Sequence, residues 1–221
     1  MSSLIFKIVL ILHISCGTIG LICGSVAMFS NKTKKNHKKN GKAFFYAMLG
    51  IFVSSIYMSI VTNNFFLLLI GFFSFYLAAT GYRILFLKKL ATTSIQPNWV
   101  DYILGAAGLL AGFFLIGLSI YLVMHKNMFA TVTLTFGALS LFLTYADYKK
   151  FYMPITNKLF WIGNHAGRMG GAYTATITAF LVVNIKIEQS WIVWLLPTIL
   201  ITPLVNKIRK NFINKISTKQ L

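Results

Sequence analysis

Apolar residues in this chain come in long runs broken by short polar interruptions. They show neither the alternation of a half-buried strand nor the narrow stripe of a surface helix. A hydrocarbon layer of about 30 Å needs roughly 20 apolar helical residues to cross it. Seven runs qualify, over residues 4–29, 43–62, 65–87, 100–124, 128–146, 159–184 and 191–205. The pattern predicts an all-α, polytopic membrane bundle of about seven transmembrane helices. Asn63-Asn64 and His125-Lys126-Asn127 are short enough to make tight antiparallel turns. No internal repeat divides the runs into halves. Residues 1–206 form the bundle in this reading. Residues 207–221 form a basic tail, in which Ile208, Phe212 and Ile216 recur at helical spacing between lysines.

Composition agrees with that pattern. Of 221 residues 57% are hydrophobic and 11% charged, against roughly 25% charged in a soluble domain. The net charge of +18 would suit nucleic acid if it were clustered on a polar domain, but the basic residues sit between apolar runs. With the N-terminus outside, sixteen Lys and Arg fall in the cytoplasmic segments and three, Lys7, Lys126 and Lys186, fall outside. The positive-inside rule therefore orients the chain with its N-terminus out and its C-terminus in the cytoplasm. Trp99 and Trp161 mark the inner interface, and Trp191 and Trp194 the outer one. The basic tail is expected on anionic inner-leaflet lipid, and nucleic acid is not expected as a partner.

The run from Lys7 to Phe29 is too long for a cleaved signal, so an uncleaved helix is expected. Cys16 and Cys23 lie two turns apart on that helix, beyond disulfide reach, and read as small packing residues.

Candidate chemistry concentrates in the sixth run. Gly163, Gly167, Gly171, Ala175 and Ala179 recur every four residues, the spacing that lets a neighbouring helix approach closely. Asn164, His165 and Arg168 lie within about 100° of arc beside that stripe. Ionisable groups inside a membrane helix are costly and face a protein interior or a wet cavity. His13 stands about nine residues from the outer end of the first helix, where a neutral imidazole can simply bond a neighbouring serine or carbonyl, or else ligate haem or metal or relay a proton. His37 stands in the lysine run, and His125 in an outer turn reads as a surface residue. Arg83 is placed to snorkel toward headgroups. Asp101 and Asp147, two of the three acids, fall at inner helix ends and suggest a polar cluster there with His37, His165 and Arg168. Economy of burial suggests that His13, His37 and His165 share one cavity lined by Arg168, which would meet an acid such as Asp147 or an anionic ligand there.

His13-x3-Gly17, the lysine run, His37-x3-Gly41 with aromatics after it, and the helix carrying His165, Met169, Tyr173 and Thr174 form a distinctive set of blocks. On them the chain resembles an uncharacterised family of bacterial multi-pass membrane proteins, a domain of unknown function, over essentially its whole length. The resemblance implies a seven- or eight-helix bundle with recurring histidines, and it brings no established activity. The chain lacks a helical histidine between its early and late blocks, as a four-histidine, two-haem protein would need. Abundant Lys, Asn, Ile and Phe suit an AT-rich bacterial genome, hence the cytoplasmic (inner) membrane.

Three function classes follow. One is a redox protein in which His13, His37 and His165 bind b-type haem or face a quinone. Another is a transporter or channel in which Asn164, Arg168, Asp147 and Arg83 contact a small polar or anionic solute. The third is an accessory subunit of a membrane complex, packed on a protein partner. Phosphate-loop, zinc-protease, cysteine-pair and nucleophile-elbow motifs are missing, so no catalytic residue or metal ligand is assigned and enzymatic activity is left open.

Overall fold

The computed structural model describes residues 2–32, 34–92, 96–153, 155 and 157–218. Among them are seven α-helices: α1 (Ser2–Phe29), α2 (Lys35–Val61), α3 (Phe65–Arg83), α4 (Trp99–Met124), α5 (Ala130–Tyr152), α6 (Phe160–Asn184) and α7 (Ser190–Ser217). A short 3₁₀ turn, Lys88–Thr92, follows α3. Six of the seven, all but α6, are long and apolar enough to cross a membrane. Polar and small residues lower the hydropathy of α6, and these are the residues it turns inward: Arg168, Thr174, Thr176 and Thr178 are buried.

Helix termini follow local chemistry. Asn63 and Lys126 take left-handed backbone conformations (φ 51° and 53°) and close the two tight turns. The Asn64 side chain caps α3 by accepting from Leu67 N–H at 3.1 Å. Asn98 and Asp101 form a capping box at the start of α4.

The helices also run further than the apolar runs. α2 begins at Lys35 rather than near residue 43, α5 reaches Tyr152, and α7 continues past Pro197 and Pro203 to Ser217. Lysine is a good helix former, so the ladder persists where apolar content stops. The basic tail expected as a separate segment is therefore the last turns of α7. Its Lys219 and Leu221 lie outside the described residues.

α3 and α6 form the centre. α3 packs on α2, α4 and α6, while α6 packs on α3, α7 and α1. Phe44, Met48, Phe73, Tyr76, Leu77, Leu115, Val132, Phe136, Ala172, Tyr173 and Trp194 make the buried core. Around it lies an apolar exterior, most continuous on α1, where Ile5, Ile8, Ile11, Leu12, Ile14, Ile19 and Ile22 are all exposed. An apolar surface of that extent fits lipid rather than water. The C-terminal ends of α1, α3, α5 and α7 meet the N-terminal ends of α2, α4 and α6 at one lysine-rich end of the bundle.

Candidate functional site

Two ion-pair clusters stand at the lysine-rich end. In the first, Arg83 at the end of α3 lays its guanidinium on Asp101 of α4, Nε to Oδ1 at 2.9 Å and Nη2 to Oδ2 at 2.8 Å. Asp101 also accepts the Asn98 N–H at 2.8 Å, so the carboxylate that caps α4 ties it to α3. Arg83 therefore does not snorkel to headgroups: a buried carboxylate holds it.

In the second cluster, Asp147 of α5 is surrounded. It accepts from the Tyr76 hydroxyl, from Lys150 Nζ at 2.5 Å and from Arg168 Nη2 at 2.9 Å. Arg168 Nη2 also donates to the Leu143 carbonyl at 2.6 Å, and its guanidinium carbon lies 5.2 Å from the centre of the Tyr76 ring. Lys150 reaches across to Asn164 Oδ1 at 2.8 Å. The pairing of Arg168 with Asp147 matches the sequence expectation. Lys150 and Tyr76 were not foreseen; the lysine's position one turn after Asp147 on α5 was the available clue. A cavity of about 20 Å³ separates the two clusters, room for one water.

One carboxylate here faces two cations. Arg168 is 5% exposed, and its Nη1 is buried without a hydrogen-bond partner among the described residues.

The histidines divide. His165 Nδ1 lies 2.7 Å from the Gly81 carbonyl and His37 Nδ1 lies 2.9 Å from the Ala27 carbonyl. A carbonyl only accepts, so each Nδ1 carries the proton and each Nε2 is the acceptor nitrogen. The two rings meet with centroids 6.2 Å apart and planes at 79°. Lys32 donates to the Ala27 and Ser30 carbonyls at 3.0 and 3.1 Å beside them, and burial lowers its pKa. His13 is elsewhere. It bonds Ser54 Oγ at 2.8 Å between α1 and α2, fourteen residues or about 21 Å along α1 from Ala27. The expectation of one cavity shared by all three histidines is corrected: His37 and His165 meet, while His13 found a nearer hydroxyl partner. His125 bonds the Tyr121 carbonyl in its exposed turn, as a surface residue would.

The small-residue stripe of α6 is the larger correction. A Cβ on Gly167 would meet nothing within 4 Å, and one on Gly163 only Arg209 Cδ at 3.9 Å. Close approach on α6 happens elsewhere. A Cβ on Gly170 would lie 2.5 Å from Val205 Cγ1, and one on Gly81 of α3 would lie 2.9 Å from Arg168 Cβ. The stripe instead lines a cavity of about 270 Å³ between α3, α5, α6 and α7. Gly163, Gly167, Gly171 and Ala175 form its floor; Asn164, Arg168 and Arg209 stand at one end. Gly163 and Gly167 leave room that no neighbouring helix fills, while at Gly171 a Cβ would touch Leu77 of α3 at 3.4 Å.

Among the described residues no group of three or more His, Cys, Asp or Glu side chains is placed to hold a metal ion. No protein-family model matches this chain, and no curated protein or solved structure matches it either.

Proposed function

We propose that this chain is a seven-span protein of a bacterial cytoplasmic membrane that binds a small anionic solute in the cavity lined by α6, as a transporter or channel would. Its N-terminus is outside and its C-terminus inside. The carrying observation is Arg168: a buried guanidinium that shares its one carboxylate with Lys150 and lines a cavity that also holds Arg209. A buried cation in excess of its counterions is stabilised by an anion. Asn164 supplies a polar wall beside it, whereas Arg83 and Asp147 act by holding the frame. α6 is the seventh span, sheltered from lipid by its neighbours and so free to carry polar residues. The basic turns of α7 lie on anionic inner-leaflet lipid.

Two experiments test this reading. Reporter fusions after Lys38 and at the C-terminus should report cytoplasm, and one at Asn63 should report the exterior; an external C-terminus contradicts the topology. Thermal unfolding of the purified chain should rise with anionic solutes and not with neutral ones. Indifference to every anion contradicts the binding site.

A second reading rests on His37 and His165. A haem b iron or a quinone headgroup would use the two Nε2 atoms, with each Nδ1–H fixed by a carbonyl as is usual for ligating histidines. A Soret band in the purified protein that His165→Ala removes supports it; a colourless protein removes the haem.

A further inference from the structure

We infer that the α6 cavity takes a single-chain anionic amphiphile, its head on Arg168 and Arg209 and its tail between α3, α5 and α7, an inference that rests on the anion site proposed above. The walls divide by chemistry along the bundle axis. Asn164, Arg168 and Arg209 lie toward the lysine-rich end. α3 and α5 both end there, so Phe73 and Phe136, well before those ends, line the deeper part, where the polar groups are the uncharged Thr174 and Thr198. From Gly163 to Ala175 the α6 floor spans twelve residues, about 18 Å of helix.

Size separates this ligand from a simple ion. One water needs about 10–15 Å³ of cavity space, and the cavity has about 270 Å³. A small inorganic anion at Arg168 would leave the aromatic end empty. A neutral chain would fill that end and leave the cations Arg168 and Arg209 at the wall without an anion. An anionic head on an apolar chain satisfies both ends. The guanidinium fork suits a carboxylate or a phosphate equally, so the shared feature is a compact oxyanion head. Gly167, with open space where its Cβ would be, keeps the channel between the two ends clear.

The test uses the full chain in zwitterionic-lipid nanodiscs, with thermal unfolding as the readout. Octanoate, octyl phosphate, acetate and 1-octanol are compared at equal concentrations. Octanoate or octyl phosphate should raise the melting temperature by about 3–6 °C near tenfold its dissociation constant, and acetate and octanol should not. The stronger of the two identifies the head as carboxylate or phosphate. Gly167→Leu, which plugs the channel without touching the charged groups, should abolish the shift while the unliganded melting temperature holds. If Gly167→Leu fails to fold, Arg209→Gln at the mouth replaces it and should weaken the shift. Acetate matching octanoate overturns the amphiphile and leaves a small-anion site standing. Octanol matching octanoate, or no shift with any compound, overturns the anion site as well. A full octanoate shift in the plugged variant places binding elsewhere and overturns the inference.

Discussion

Gly105, Gly108 and Gly112 on α4 and Gly163, Gly167 and Gly171 on α6 are two stripes of the same residue at nearly the same spacing, and the molecule uses them in opposite ways. On α4 these three glycines are closed: a Cβ would lie 2.7 Å from Tyr148 Oη, 2.4 Å from Thr144 Oγ1 and 2.6 Å from Leu141 Cδ2 in turn. α5 answers with Gly137, where a Cβ would lie 3.0 Å from Ile116, and Ser140 donates to the Gly108 carbonyl at 2.7 Å. On α6 the stripe stays open at Gly163 and Gly167, and even at Gly171 a Cβ would only touch Leu77, at 3.4 Å. The difference lies in what flanks each stripe. Apolar and hydroxyl side chains of α5 dock into α4. Beside the α6 stripe, Arg168 is tied back to α5 through Asp147 and holds a charge at the wall. Small residues create space, and their neighbours decide whether a helix or a ligand fills it.

The largest expected effect comes from removing the tie. Asp147→Asn leaves Arg168 and Lys150 buried without their carboxylate, which should cost about 3–5 kcal/mol in thermal or denaturant unfolding. A melting temperature within a degree of the parent would show that this cluster does not frame the open stripe. Next, Gly108→Ala on the closed stripe should cost about 1–3 kcal/mol through overpacking. Gly167→Ala on the open one should stay within about 0.5 kcal/mol of the parent. Equal costs would break the comparison. Gly170→Ala sharpens it within one helix, because a Cβ there meets Val205 at 2.5 Å. It should destabilise by about 1 kcal/mol or more where its neighbour Gly167→Ala does not. The smallest effect is expected far from either stripe. Ser54→Ala removes the His13 partner, should cost about 0.5–1.5 kcal/mol, and should leave any anion-dependent stabilisation unchanged.

Apolar run length made the helices legible, because a membrane span requires it. Helix ends were less so, since Lys35 and the lysines after Pro203 continue helices while reading as loop or tail. Scarcity of acids pointed to Asp147 for Arg168, and the same reasoning missed that Asp101 takes Arg83 at a capping box. For His13 the simple expectation, a neutral imidazole bonded to a neighbouring serine, holds, and the shared cavity fails because depth along a helix says nothing of rotation. On that face the nearest polar group is Ser54 of α2. The α6 stripe was visible in the sequence, and its openness was not: Gly167 and Gly170 are equally small, and only the position of Val205 on α7 separates them. The α4 stripe, which does pack in the way expected of α6, went unremarked beside a helix with richer chemistry.

The central claim is that the small-residue face of α6 opens on a cavity reached from water at the lysine-rich end. It is tested most directly by placing a thiol there. With Cys16 and Cys23 replaced by alanine, Gly167→Cys should react with a charged, water-soluble thiol reagent applied at the lysine-rich end. Excess octanoate should slow that reaction. Ala111→Cys, on the closed α4 interface where the native residue is 4% exposed, should stay unlabelled. Labelling of Gly167→Cys no faster than Ala111→Cys would contradict the account, because a face that excludes a charged reagent as completely as a packed helix contact holds no anion site.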